Sequence, residues 1–149
     1  MVMGYRYLPP ARTVEPLTLQ TAPADRNSKL RVSIPANTMT DHDVLLIEHA
    51  AWNVLNGGGF YVDLSIDGVL VRGETNIYGA SPGYPVFGHV LLTTKGGILT
   101  LLAGSAGTGE IWTDTSGYSM SAAMELAYFG DDDAGCNFML QPQILKGIT

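Results

Sequence analysis

The sequence is short of cysteine, of charge, of basic residues and of long apolar runs, and each shortage removes a class of function. One cysteine, Cys136, in 149 residues leaves no internal disulfide framework and no all-cysteine metal site within one chain. It is expected to pack as a small apolar side chain. Eight Lys and Arg against fourteen Asp and Glu give a net charge of −6, the wrong sign for a protein that tracks phosphates, so no nucleic acid is expected as partner. No stretch approaches the ~20 apolar residues of a membrane span. The opening residues, MVMGYRYLPPARTVEP, lack the apolar core of a signal peptide. The expectation is a protein made in the cytoplasm, without a membrane partner. Only 15% of residues are charged while 46% are hydrophobic, against about 25% charged for an ordinary soluble domain. Part of the surface is therefore expected to be covered, most simply by copies of the same chain.

The chemistry-bearing residues do not assemble into a known catalytic pattern. His42, His49 and His89 lack the spacing of a metal site, and Asp41-His42-Asp43 with Glu48-His49 runs from a loop into a strand. Asp131-Asp132-Asp133 before Gly135 lacks the alternating ligands and closing glutamate of a calcium loop and reads as a solvated turn. The glycines between Gly104 and Gly109 have no following Lys-Ser/Thr and no helix to cradle a phosphate. Ser105 is not in a nucleophile elbow. Asp63 and Glu125 form a candidate glycosidase pair only in the sense that any two surface carboxylates on sandwich strands do. No catalytic residue, cofactor or metal is assigned, and an enzyme is not expected. Arg26, Lys29 and Arg31 lie close together, either as a solvated approach to a strand or as a salt-sensitive contact to an acidic partner.

Residues 1–29 carry Pro9, Pro10, Pro16 and Pro23, which neither a central strand nor a helix interior accepts. They also carry Tyr5, Tyr7, Leu8, Val14, Leu17 and Leu19, anchors that a disordered linker does not need. The segment reads as an extended arm that lies on a partner. From Leu30 the chain reads as sheet. Leu30–Ile34 alternates, and Val44–Val54 is a longer apolar strand. Phe60, Val62, Leu64 and Ile66 face one way with Tyr61, Asp63 and Ser65 facing solvent. Asp67-Gly68 then marks a two-residue hairpin, and Val69–Arg72 returns. The glycines Gly57–Gly59 read as a bend between strands rather than a phosphate cradle. Residues 73–86 read as a long turn-rich connection in which Tyr78, Tyr84 and the nearby Phe87 are candidate loop contacts. Strands follow over Phe87–Thr94, Ile98–Leu102 and Glu110–Thr115, with a Lys95-Gly96-Gly97 turn after the first. Ser119–Phe129 alternates once more. Residues 30–130 thus form the predicted domain of roughly seven or eight strands, an all-β antiparallel sandwich or jelly roll. Residues 131–149 form a tail that adds at most one short strand around Phe138–Leu140.

The run GGGFYVDLSIDGVLVRG, a variable loop, GHVLLTTKGGILTLLAGSAGTGEI and a final strand ending ELAYFG resemble tumour-necrosis-factor-like jelly rolls. That family includes complement-type heads and many bacteriophage virion proteins. The matching units are Phe60–Arg72, Val90–Leu102 and Met120–Phe129, and the resemblance spans roughly residues 30 to 129. Two features depart from it: the arm has neither collagen repeats nor heptads, and the tail runs past the usual last strand. The resemblance implies a homotrimer packed through apolar faces, localised to a virion. The expected function is a capsid decoration protein whose arm, through Tyr5, Tyr7, Leu8, Val14, Leu17 and Leu19, grips the major capsid protein. The alternative is a tail or fibre-tip module that recognises host glycans through Tyr78, Tyr84 and the glycine bend.

Overall fold

The computed structural model describes residues 12–16, 20–53, 59–79, 86–105, 108–130 and 136–147. Within them lie eleven strands: β1 (Arg12–Pro16), β2 (Gln20–Ala24), β3 (Leu30–Ile34), β4 (Val44–Asn53), β5 (Gly59–Ile66), β6 (Val69–Gly79), β7 (Val86–Thr93), β8 (Leu99–Ser105), β9 (Thr108–Asp114), β10 (Met124–Gly130) and β11 (Cys136–Gly147). A single 3-10 turn, Lys95–Gly97, joins β7 to β8. No described helix is long and apolar enough to cross a membrane.

The strands form two antiparallel sheets. The large sheet runs β1-β11-β4-β7-β8-β9, with β2 also paired to β11, and the small sheet runs β3-β10-β5-β6. If β1 and β2 are taken together as one edge element, β1/β2-β11-β4-β7 and β3-β10-β5-β6 have the strand order of a jelly roll. The β8–β9 hairpin is added at the β7 edge. The all-β sandwich is thus the observed architecture.

Its two ends are set differently from expectation. Residues 12–24 were expected in an extended arm lying on a partner. Instead Arg12–Pro16 pairs with residues 143–147, and Gln20–Ala24 with residues 136–140, of the same chain. Pro16 and Pro23 fit there because both strands lie at a sheet edge, where a missing N–H costs no ladder bond on the open side. The tail is likewise not an appendage. β11 is a twelve-residue strand in the middle of the large sheet, pairing with β4 from Cys136↔Asn53 to Leu145↔Val44. Cys136, Phe138, Leu140, Pro142 and Ile144 alternate as its buried side. Pro142 disguises this strand in the sequence. It falls where pairing with β2 ends, at Leu140↔Gln20, and pairing with β1 begins, at Gln143↔Pro16.

The interior was easier to foresee. Phe60, Val62, Leu64 and Ile66 all point into the core, and Asp67 and Gly68 turn with φ of 50° and 78°, the positive pair that a type I′ hairpin needs. Between the sheets, Phe138 meets Phe60 at 5.6 Å and Tyr128 at 5.9 Å, both edge to face. Truncating Phe138 would cost about 3–5 kcal/mol. Gly130 must be glycine, because a Cβ there would lie 1.9 Å from Cys136 Sγ. Two boundaries differ from the sequence reading. β6 continues through Thr75 and Ile77, both buried, rather than stopping at Arg72. It does so across register shifts and a positive φ of 52° at Glu74. β10 starts only at Met124, and Met120 reaches the core from a turn.

The loops opposite the β4–β5 end are tied by carboxylates. Asp41 accepts from Met120 N (2.8 Å), Thr94 Oγ1 (2.9 Å) and Ser119 Oγ (3.0 Å), and these donors hold its pKa below the usual value, the backbone N–H most of all. Burial raises the pKa of Asp43, but the N–H groups of Gly147 and Thr40 and the Lys146 ammonium outweigh it. Asp41 and Asp43 thus fasten these loops.

Candidate functional site

Strand alternation divides the outside of the sandwich into two faces with different chemistry. On the large sheet, Leu45, Ile47, Val90, Leu92, Leu99 and Leu101 fill the core, so their neighbours point outward. Register then lines up Leu46, Leu91, Leu102 and Ile111 across β4, β7, β8 and β9. The three leucines are half-buried and Ile111 is 67% exposed. A second apolar row is Phe87, Ala50 and Met139, with Phe87 68% and Met139 42% exposed. Between them runs a polar row, Gln141, Glu48, His89, Gly104 and Gly109. Gln143 Nε2 donates to Glu48 Oε2 at 2.8 Å. A hollow of about 320 Å³ opens over the two glycines, with His89, Leu102 and Ile111 on its walls. Glu48 and His89 are the only ionisable residues at the outward positions of β4, β7, β8, β9 and β11. Leaving an isoleucine and a phenylalanine two-thirds bare in such a setting costs solvation free energy that burial would recover, about 1.5–3 kcal/mol per side chain.

The small sheet's outer face is charged and largely paired. Arg31 binds Glu125, Lys29 Nζ lies 2.7 Å from Asp63 Oδ2 and Arg26 Nη1 lies 2.5 Å from Glu74 Oε1. Tyr61 stacks on Phe129 at 5.5 Å, with Arg26 over both rings and Lys29 4.4 Å from the Phe129 centroid. The three clustered cations are thus spent within the chain, and the expected alternative of an acidic partner for them is not needed. Asp63 points outward as expected but is covered, only 8% exposed, by Lys29 and by the Glu74 N–H at 2.7 Å. Asp63 and Glu125 share this face without forming an acid pair, because each carboxylate is held by its own cation. At the rim, Arg72 joins Glu110 across the two sheets.

Between the sheets, His49 is 4% exposed, and its ring lies 6.1 Å from that of Tyr128. Neither imidazole nitrogen, nor the Tyr128 hydroxyl, has a hydrogen-bond partner among the described residues. Burial, with a smaller contribution from the charge of His89, brings the His49 pKa down to about 4. Burial alone pushes Tyr128 well up. Among the described residues no group of His, Cys, Asp and Glu is placed to hold a metal.

Of the residues singled out in the sequence, Phe87 lies on the large sheet's outer face. Tyr78 is in β6, its backbone opposite Phe60, and Val14 is in β1, opposite Leu145. Tyr5, Tyr7, Leu8, Leu17, Leu19 and Tyr84 lie outside the described residues, as do Gly57, Gly58 and Asp131–Asp133. Gly59 is extended strand, where a Cβ would strike the Tyr61 ring. The outward rows through Leu46, Leu91, Leu102 and Ile111 were not singled out. In VLLIEHAAWNV and HVLLTT both parities are apolar, so alternation does not separate the inner face from the outer.

No protein-family model matches the chain, and no curated protein matches it in sequence. Among solved structures it is similar to the CBM2 module of the evolved Dit of Lactobacillus casei BL23 phage J-1. The identity is 16% over 90% of this chain and 76% of that one, with a TM-score of 0.47. It is also similar to the carbohydrate recognition domain of Emp46p. The metal-free form gives 12% identity over 93% of this chain and 89% of that one, with a TM-score of 0.41. The potassium-bound form gives 12%, 93%, 90% and 0.40.

Proposed function

We propose that this chain is a non-enzymatic structural virion protein, a capsid decoration protein that works as a homotrimer and binds the major capsid protein. The observation that carries this reading is the outer face of the large sheet. Five adjacent strands at about 4.8 Å spacing, over some six residues of length, project to roughly 400 Å². Two apolar rows flank one polar row within that area, and exposed apolar patches of about 300–600 Å² are often functional. Within these five strands the outward positions hold one acid and one imidazole and no lysine or arginine, so a copy that covered them would bury few charges. Each subunit turns this face toward its neighbour, which accounts for the low charged fraction of the sequence. The virion setting is what the resemblance of the sequence to phage jelly rolls implies.

In this reading, part of the segment expected to clasp the capsid has another task. Arg12–Pro16 and Gln20–Ala24 complete the large sheet, and the capsid contact falls to residues 1–11 with Tyr5, Tyr7 and Leu8. The test is co-sedimentation with capsids assembled from the major capsid protein of the phage that carries this chain. The full chain is expected to pellet with them, and a chain lacking residues 2–11 to keep its oligomeric mass but stay in the supernatant. Failure of the full chain to bind any such capsid would refute the decoration role.

A further inference from the structure

The small sheet carries a second concavity, on the side of the sandwich away from the assembly face. A hollow of about 300 Å³ is lined by Ser33, Ile34, Pro35, Ser65, Gly68, Ala123, Met124 and Glu125, at the lower end of the range for small-ligand sites. Its floor is one cross-strand row. Glu125 on β10 stands opposite Ser33 on β3 and opposite Ser65 on β5, and Leu70 on β6 continues the row beside Ser65. Two strand spacings separate the serines, roughly 10 Å. The rim is fixed by the β5–β6 turn, where Asp67 N donates to Ala123 O (2.8 Å) and Ala123 N to Asp67 Oδ1 (3.3 Å).

The polar groups of this row are arranged but under-used. Glu125 Oε1 receives Arg31, while Oε2 has only a long contact from Ser33 Oγ at 3.4 Å. The half-buried Ser65 hydroxyl has no hydrogen-bond partner among the described residues. An anion finds no free cation here, because Arg31 is committed to Glu125. A metal ion finds one carboxylate, already neutralised. A neutral polyol fits. Its hydroxyls can donate to Glu125 and exchange hydrogen bonds with both serines, while its C–H face rests on the exposed Pro35 and on the 59% exposed Leu70, which extends the row past the hollow.

We infer that the Ser33–Glu125–Ser65 hollow on the small sheet is a binding site for a neutral saccharide. The inference goes beyond the assembly role and does not depend on it, since the two faces are separate. The probes are neutral glucose, galactose and mannose oligosaccharides, with sialylated and sulfated sugars as the charged arm. They are titrated into the isotope-labelled full chain while its backbone amides are followed by NMR. A neutral oligosaccharide is expected to shift the amides of Ser33, Ser65 and Glu125. Glu125→Gln and, separately, Ser65→Val are expected to weaken its binding about tenfold or more, the loss of one hydrogen bond to a charged group or of one hydroxyl contact. Both positions are at the surface, and unchanged amide spectra elsewhere show that the variants fold. Repeating the titration on a variant altered only at Ile111 separates this site from assembly. The inference is overturned if no neutral sugar shifts these amides, if charged sugars are preferred, or if binding survives both substitutions.

Discussion

On the small sheet, Arg31 meets Glu125, Lys29 meets Asp63 and Arg26 meets Glu74. Across the large sheet, from Leu46 to Ile111, no charged side chain interrupts the apolar row. Both faces belong to strands whose inner sides are equally well buried, so the difference does not come from the needs of the core. A face that stays in water can pair its charges with each other at little gain, typically under 1 kcal/mol per exposed pair. A face that will be covered must avoid stranded charge, because an unpaired buried ion costs several kcal/mol. The lesson is that the shortage of charge in this sequence is local. It is concentrated on one side of one sheet, the surface that the proposed assembly would cover.

That comparison can be broken in stages. The largest effect is expected from removing residues 2–25. If β1 and β2 are edge strands of the large sheet, their loss strips one flank of β11 and abolishes cooperative unfolding followed by circular dichroism. A truncated chain that melts like the full one would mean that the leading segment is an arm after all. Next, Ile111→Lys combined with Phe87→Lys places two ammonium groups in the apolar rows. Self-association should weaken at least a hundredfold, about 3 kcal/mol, in sedimentation equilibrium, with the melting of the isolated subunit little changed.

Acid probes the layer beneath that face. His49 titrates near 4 in the folded chain against an ordinary 6.5, so on acidification the unfolded chain takes up its proton first. Stability is therefore whole above pH 6.5 and falls as pH is lowered toward 4, by about 3 kcal/mol at most. Urea denaturation at both ends of that window should show the loss, and His49→Leu should remove most of it. The smallest effect belongs to the small sheet. Arg31→Ala should cost less than about 1 kcal/mol and leave the oligomeric mass unchanged. If it dissociated the assembly, the assignment of the two faces would be reversed.

How much of this was legible in the sequence depended on whether one parity alone was apolar. Phe60 to Ile66 alternates with polar residues, and its inner side, its turn at Asp67-Gly68 and the first four residues of its return strand were readable. The large sheet's strands are apolar on both parities, which signals burial on both sides but cannot say which side meets the core. Leu46, Leu91, Leu102 and Ile111 emerge only once the register is known. Proline misled at both ends for one reason. Pro16 and Pro23 suggested an arm, and Pro142 hides the last strand, since proline is excluded from fully paired strands. All three sit where a partner strand is missing or interrupted, which sequence alone does not reveal. The Ser33–Glu125–Ser65 row was invisible for a similar reason, since its three members come from strands far apart in the chain.

The most direct test of the covered large-sheet face is the mass of the purified full chain across a wide concentration range. A stable species of three times the 15.9 kDa chain mass, reduced to single chains by Ile111→Lys with Phe87→Lys, is the predicted result. A chain that stays single at every concentration, with Ile111 and Phe87 open to solvent, would contradict it.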